Sequence, residues 1–158
     1  MRPEEELRFL VLGAQREGNR ILADMLSPLG VTPSQAEVIA CLADGGPMAL
    51  NALGKLLVCE TGSPSRLVDA LVGRSIVMRH ENPNDRRRVT LELSAVGVGL
   101  AKEIRKVEAQ LYAWLGQKLS LQQMLATIEA LRGLVEGTVA GDTVAHRKRQ
   151  TKRSSQRE

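Results

Sequence analysis

The sequence predicts a mostly α-helical chain carrying one small β-ribbon (α+β), and three observations predict it. Apolar residues recur near the 3.6-residue period through much of the 158 residues. Thr32, Ser63, Ser94 and Ser120 stand where helices would begin, the first two directly followed by proline, and both features favour a helix start. Alternation of apolar and polar side chains marks "VTLEL" at 89–93, behind the turn-forming "NPND". A hydrophobic content of 43% is enough to bury a core, so most of the chain is expected to fold, as about one domain.

In order, "PEEELRFLVLGAQREGNRILADML" places Leu7, Leu10, Val11, Ala14, Ile21, Leu22 and Met25 along one helical stripe. Pro3 and three acids suit its N-terminus. After "SPLG", Thr32 caps a helix reaching about Ala43, and "DGGP" breaks it. Met48 to Leu50 form a short apolar stretch before "NALGKLLV", one or two helical turns with Leu53, Leu56 and Leu57 inward. "CETG" turns the chain. Ser63 then caps a helix whose Leu67, Val68, Leu71 and Val72 share one face.

Two short helices joined by a tight turn make a helix-turn-helix, whose second helix can enter a major groove. With the four apolar residues inward, Ser63, Ser65, Arg66, Asp69 and Ala70 face outward. Small hydroxyls beside one arginine suit close approach to phosphates and base edges. "SIVMRHE", "NPND" and "VTLEL" then predict a β-hairpin directly after that helix, with Val89, Leu91 and Leu93 inward. A helix-turn-helix followed by such a hairpin is a winged helix. Its tip carries Asp85, Arg86, Arg87 and Arg88. A guanidinium on a narrow tip can enter a minor groove where negative potential is high. Arg87 is the expected inserted residue, with Asp85 placed to hold it by a bidentate pair.

Across nearly the whole body the chain resembles the multiple-antibiotic-resistance regulator (MarR) family of winged-helix repressors. The resemblance rests on "VTPSQAEVIACLA", "GPMALNALGKLL", "SRLVDALVGRSIVMR", the "NPNDRRRVTLELS" wing and the long helix after it. It implies a homodimer with interlocking N- and C-terminal helices, which binds a pseudo-palindromic DNA operator and releases it on sensing a signal. It also gives Ser63, Ser65 and Arg66 recognition-helix roles, and Asp85 and Arg87 wing roles. The chain departs from the pattern at "VCETGSP", where Val58 stands at a usual glycine position and Pro64 shifts the start of the recognition helix. On this reading residues 1–141 form one domain, with 31–93 the winged helix-turn-helix and 1–30 and 94–140 dimerisation helices.

The C-terminal half supports self-association on its own terms. Ser94 caps a helix with Val98, Ile104, Val107, Leu111, Trp114 and Leu115 in a stripe, and Ser120 with Gln123 forms a capping box for another. Long helices at both ends hold more apolar surface than a small winged domain can cover, which argues for a partner chain.

Cys59, in the turn of the helix-turn-helix, is the candidate redox sensor. A sensor needs a low-pKa, accessible thiol, however, and acidic Glu60 beside it works against that, so packing is the plainer role. Cys41 lies in an apolar helix and reads as core. The alternative signal is a small, often phenolic, ligand between the winged domain and the dimer helices. Phe9, Tyr112 and Trp114, the chain's aromatics, are its candidate lining. His80 on the wing strand reads as a surface residue or a phosphate contact.

The net charge of +4 resides in residues 142–158, where six Lys/Arg oppose Asp142 and Glu158, leaving the body neutral. That segment lacks apolar periodicity and is expected to be a disordered, solubilising tail, with added phosphate contacts as its functional alternative. No cofactor, metal site or disulfide framework is expected from two cysteines and two histidines without ligand spacing. Catalysis is disfavoured because no nucleophile, base and oxyanion set converges. An aromatic content of 2% disfavours RNA binding. The acidic opening and the lack of an apolar run of ~18 residues predict a cytoplasmic protein. The competing function is a winged protein-interaction module that does not bind DNA.

Overall fold

The computed structural model describes residues 1–58, 63–82 and 85–154, with side chains for all of these except 82, 85–88 and 152–154. Helix α1 spans Pro3–Leu26, and a 3-10 turn, Ser27–Leu29, leads through Gly30 at φ 67° into α2, Pro33–Gly45. Thr32 closes the expected cap as a full box: its Oγ1 accepts from Gln35 N at 3.2 Å, and Gln35 Oε1 accepts from Thr32 N at 3.1 Å. The helix-turn-helix pair is α3, Leu50–Gly54, and α4, Pro64–Gly73. Helix α3 is shorter than the apolar spacing suggests, because Lys55 ends it after little more than one turn.

The ribbon forms where alternation places it. Strands β2, Val77–Asn82, and β3, Asp85–Leu93, pair antiparallel from Val77 opposite Leu93 to Asn82 opposite Asp85. A third strand was not foreseen: β1, Met48–Ala49, pairs with Leu91 and Thr90 on the other edge of β3, giving the order β1-β3-β2. Helices α5, Ala95–Lys118, and α6, Leu121–Val135, follow, opened by Ser94 and by the Ser120–Gln123 box as expected.

The core is the winged domain closed by the start of the long helix. Leu26, Ile39, Leu53, Val68, Leu71, Val77, Leu91 and Ile104 are all essentially inaccessible. The α4 residues Val68 and Leu71 therefore anchor that helix, and Leu91 and Leu93 anchor the ribbon, in the same apolar cluster. Helix α5 is knitted to the base of the ribbon: Ser94 Oγ donates to Ser75 O at 2.7 Å, and Ser94 N donates to Ile76 O at 3.0 Å. Gly97 lies so close that a Cβ there would collide with the Ile76 carbonyl and press on Leu93. Gly97→Ala is accordingly expected to destabilise by about 1–3 kcal/mol despite alanine's better helix propensity. Thermal unfolding checks this, with a fall in Tm of several degrees as the expected outcome.

One expectation is corrected. The segment expected to be a disordered tail is helical from Val139 to Ser154, and this helix, α7, packs on α2. Its inward stripe is Thr143, Arg147 and Gln150, spaced by four and three residues. Thr143 is 8% exposed, Gln150 Nε2 donates to Cys41 O at 2.9 Å, and Arg147 Nη1 donates to the Cys41 sulfur. Gly45 permits the approach, since a Cβ there would occupy the Gln150 amide. A stripe of polar side chains can hold a helix in place by hydrogen bonds while leaving no apolar period in the sequence.

Candidate nucleic-acid interface

Helix α4 presents the outward face that the sequence predicts. Arg66, Asp69 and Ala70 are exposed, Ser65 is half-buried, and Val68 and Leu71 hold the opposite side. Ser63 occupies the N-cap position, with Pro64 in the first helical position, but its side chain makes no capping bond. Its Oγ instead lies 3.1 Å from Ser65 Oγ. Ser63, Ser65 and Arg66 thus sit together at the N-terminal end of α4, where hydroxyls and a guanidinium can meet phosphates and base edges.

Two contacts that the sequence does not reveal set the attitude of this helix. Arg79 on β2 pairs with Asp69 on α4 at 2.5 Å, tying the exposed face of the helix to the ribbon. Glu37 on α2 accepts from the backbone N of Val58 at 2.8 Å, holding the start of the turn between α3 and α4 at the point where the chain departs from the glycine pattern. His80, a candidate phosphate contact, lies 3.1 Å from Glu92 across the ribbon and is thereby partnered within the sheet.

Asp85, Arg86, Arg87 and Arg88 open β3, and the backbone places them at the far end of the hairpin from its base at Val77 and Leu93. Their side chains lie outside the described residues. Cys59 lies outside them entirely.

Cys41 is fully buried, and burial pushes its thiol up to about 12, the Arg147 guanidinium opposing this only in part. Such a thiol stays protonated and is a poor redox sensor. A cavity of about 110 Å³ lies where α1, α2 and α5 meet, with Leu22, Leu26, Ile104, Glu108 and Arg147 on its wall. The candidate ligand aromatics do not line it: Phe9, Tyr112 and Trp114 are exposed on α1 and α5. Desolvation raises the Glu108 carboxyl above its ordinary 4.5, and the nearby Arg147 opposes the shift without cancelling it. The folded chain then holds more protons than the unfolded chain as pH rises through 4.5, so this group's contribution to stability declines with rising pH. Glu108→Gln is expected to raise Tm at about pH 7, with the gain shrinking towards pH 4. Thermal melts across that range provide the check.

A helix-turn-helix followed at once by a two-stranded ribbon, with β1 completing the sheet, defines a winged helix-turn-helix protein of the DNA-binding regulator class. The family model of the MarR family matches residues 31–89, which run from the start of α2 into β3. The multiple antibiotic resistance protein MarR of Escherichia coli K12 is 29% identical over 123 residues, covering 77% of this chain and 85% of that protein. An uncharacterized HTH-type transcriptional regulator of Bacillus subtilis, YcgE, is 41% identical over 63 residues, or 40% of this chain and 41% of that protein. The solved structure of a cysteine-to-serine mutant of Escherichia coli MarR complexed with operator DNA superimposes with a TM-score of 0.72 at 29% identity. It covers 83% of this chain and 94% of the other. Over residues 31–89 the chain matches the MarR family of winged-helix transcriptional regulators, and over most of its length it is similar to Escherichia coli MarR. No helix among the described residues is long and apolar enough to cross a membrane, and no cluster of metal-ligating side chains occurs among them.

Proposed function

We propose that this chain is a transcriptional regulator that binds a pseudo-palindromic double-stranded operator as a homodimer. Ser63, Ser65 and Arg66 read the major groove, and Arg87 enters the adjacent minor groove with Asp85 orienting it. Arg86 and Arg88 steady the wing on the phosphates. One observation carries this reading: Val68 and Leu71 of α4 share a buried cluster with Leu91 and Leu93 of the ribbon, and the exposed Asp69–Arg79 pair spans the same two elements, so helix and wing face DNA together. The operator-bound relative supports it.

Pairing of two chains is supported by the apolar residues that α1 and α6 leave uncovered. Leu121, Leu125, Ile128, Leu131 and Leu134 on α6 are between 40% and 72% exposed, and Leu7, Phe9 and Leu10 on α1 about half exposed or more. Such a face is the expected mark of an interface absent from a single chain. Repression in the cytoplasm, relieved by a small ligand or by an oxidant, completes the proposal. A burial-shifted Cys41 leaves Cys59 as the oxidant's candidate target.

A mobility-shift series on the DNA upstream of the protein's own coding sequence tests it, repeated with peroxide and with a phenolic acid. A discrete complex that resists excess unrelated duplex is expected. Equal competition by unrelated duplex contradicts sequence-specific regulation.

A further inference from the structure

Docking of α7 leaves one cationic surface that the winged domain itself does not account for. Helix α7 runs along α2 so that its last turns reach α3, the first helix of the helix-turn-helix. There the two helices bound an open groove of about 590 Å³, with Asn51 of α3 and the adjoining Lys55 on one wall and His146 and Arg149 of α7 on the other. The acid of this lining, Asp44, is engaged at 2.8 Å by Arg105. Lys55, Lys148 and Arg149 are exposed, and none of them pairs with an acid among the described residues. Two exposed cations from distant parts of the sequence thus converge on one groove beside the reading head.

That convergence has a structural cost, which argues against a merely solubilising helix. Holding α7 in place brings the Arg147 guanidinium into a half-buried site against Cys41, and a Cβ at position 45 would displace the Gln150 amide that bonds α2. The site is continuous with the interface already described: α7 meets α3 across the groove, α3 packs on α4, and α4 packs on β2. The sequence adds Lys152 and Arg153 one turn further on.

We infer that Lys55 and Arg149 form a second phosphate contact, gripping the duplex backbone beside the segment read by α4 and the wing. The inference rests on the DNA-binding reading above. The occupant is double-stranded DNA because the groove is cationic, shallow and flanks a helix aimed at the duplex. Sequence plays no part in such a contact, so it strengthens binding to every duplex alike and makes binding more salt-dependent. Arg147 and Gln150 are positioning residues, holding Arg149 beside Lys55.

The test measures the affinity of the full chain for random-sequence duplexes of about 20 and about 40 base pairs across a salt series, two and four helical turns respectively. The proteins compared are the native chain, the pair variant Lys55→Gln with Arg149→Gln, and Lys148→Gln. The last removes the same kind of charge from α7 but not from the groove. All three positions are exposed, so folding is expected to be unaffected, and circular dichroism melts confirm it. The pair variant is expected to lower the slope of log affinity against log salt by about 0.9 for each cation, roughly two in all, while Lys148→Gln leaves the slope near the native value. A native slope retained by the pair variant overturns this inference and leaves the regulator reading standing. An equal fall with Lys148→Gln also overturns it, since α7 would then act as an unplaced cationic end. Failure of the native chain to bind random duplexes at any salt overturns this inference, and failure to bind the DNA upstream of its own coding sequence as well overturns both readings.

Discussion

Replacing Arg87 with alanine lowers affinity for the operator duplex by about 10- to 100-fold while leaving the fold and the dimer intact. The magnitude follows from the charge-assisted hydrogen bonds a minor-groove guanidinium makes, worth about 1.5–3 kcal/mol, with 1.4 kcal/mol for each factor of ten. The fold is spared because Arg87 stands beyond Val89, Leu91 and Leu93, which carry the ribbon's contacts with the core. Asp85→Ala is expected to fall between the native chain and Arg87→Ala, since on the proposed reading it removes only the group that would order the guanidinium. Titration of a labelled operator duplex at fixed salt measures both. Native affinity in the Arg87 variant means that the wing does not enter the groove.

Leu125→Asp combined with Ile128→Asp is expected to yield a folded monomer. Both side chains are exposed in the single chain, so a carboxylate costs the fold little, whereas two per chain brought against their symmetry mates would be desolvated and repelled. A monomer engages one half-site at a time. Affinity for a two-half-site duplex is expected to drop by about 10²–10⁴, the advantage that linked binding confers. Sedimentation gives the assembly state, and the same titration gives the affinity. Two chains per particle in the variant would place the interface elsewhere than α6.

How much of this was legible in the sequence depends on the range of the interactions involved. Thr32, Ser94 and Ser120 were readable as helix starts because a cap satisfies backbone donors within three residues of itself. The inward face of β3 was readable because alternation is a local property, and Leu91 and Leu93 are indeed buried. Ser63 shows the limit of that reading, since it holds the N-cap position but its hydroxyl turns to Ser65.

Other features belong to tertiary structure alone. Strand β1 is two residues long and exists only because Met48 and Ala49 find Leu91 and Thr90. The Asp69–Arg79 pair joins residues that nothing in the local pattern connects, although a lone arginine in an otherwise apolar strand start could have prompted the question. Helix α7 was missed because apolar periodicity is the usual helix signal, and its docking stripe of Thr143, Arg147 and Gln150 is polar. The same hydrogen bonds that keep that stripe in place bring Arg149 to α3.

The most direct measurement is the stoichiometry and footprint of the operator complex, from sedimentation of the protein–duplex particle and hydroxyl-radical cleavage of the same duplex. Two chains per duplex are expected, with protection repeated symmetrically about a centre and half-sites one helical turn, about 34 Å, apart. A particle with one chain per duplex, or protection on one side of the centre only, would contradict the paired grip of helix and wing.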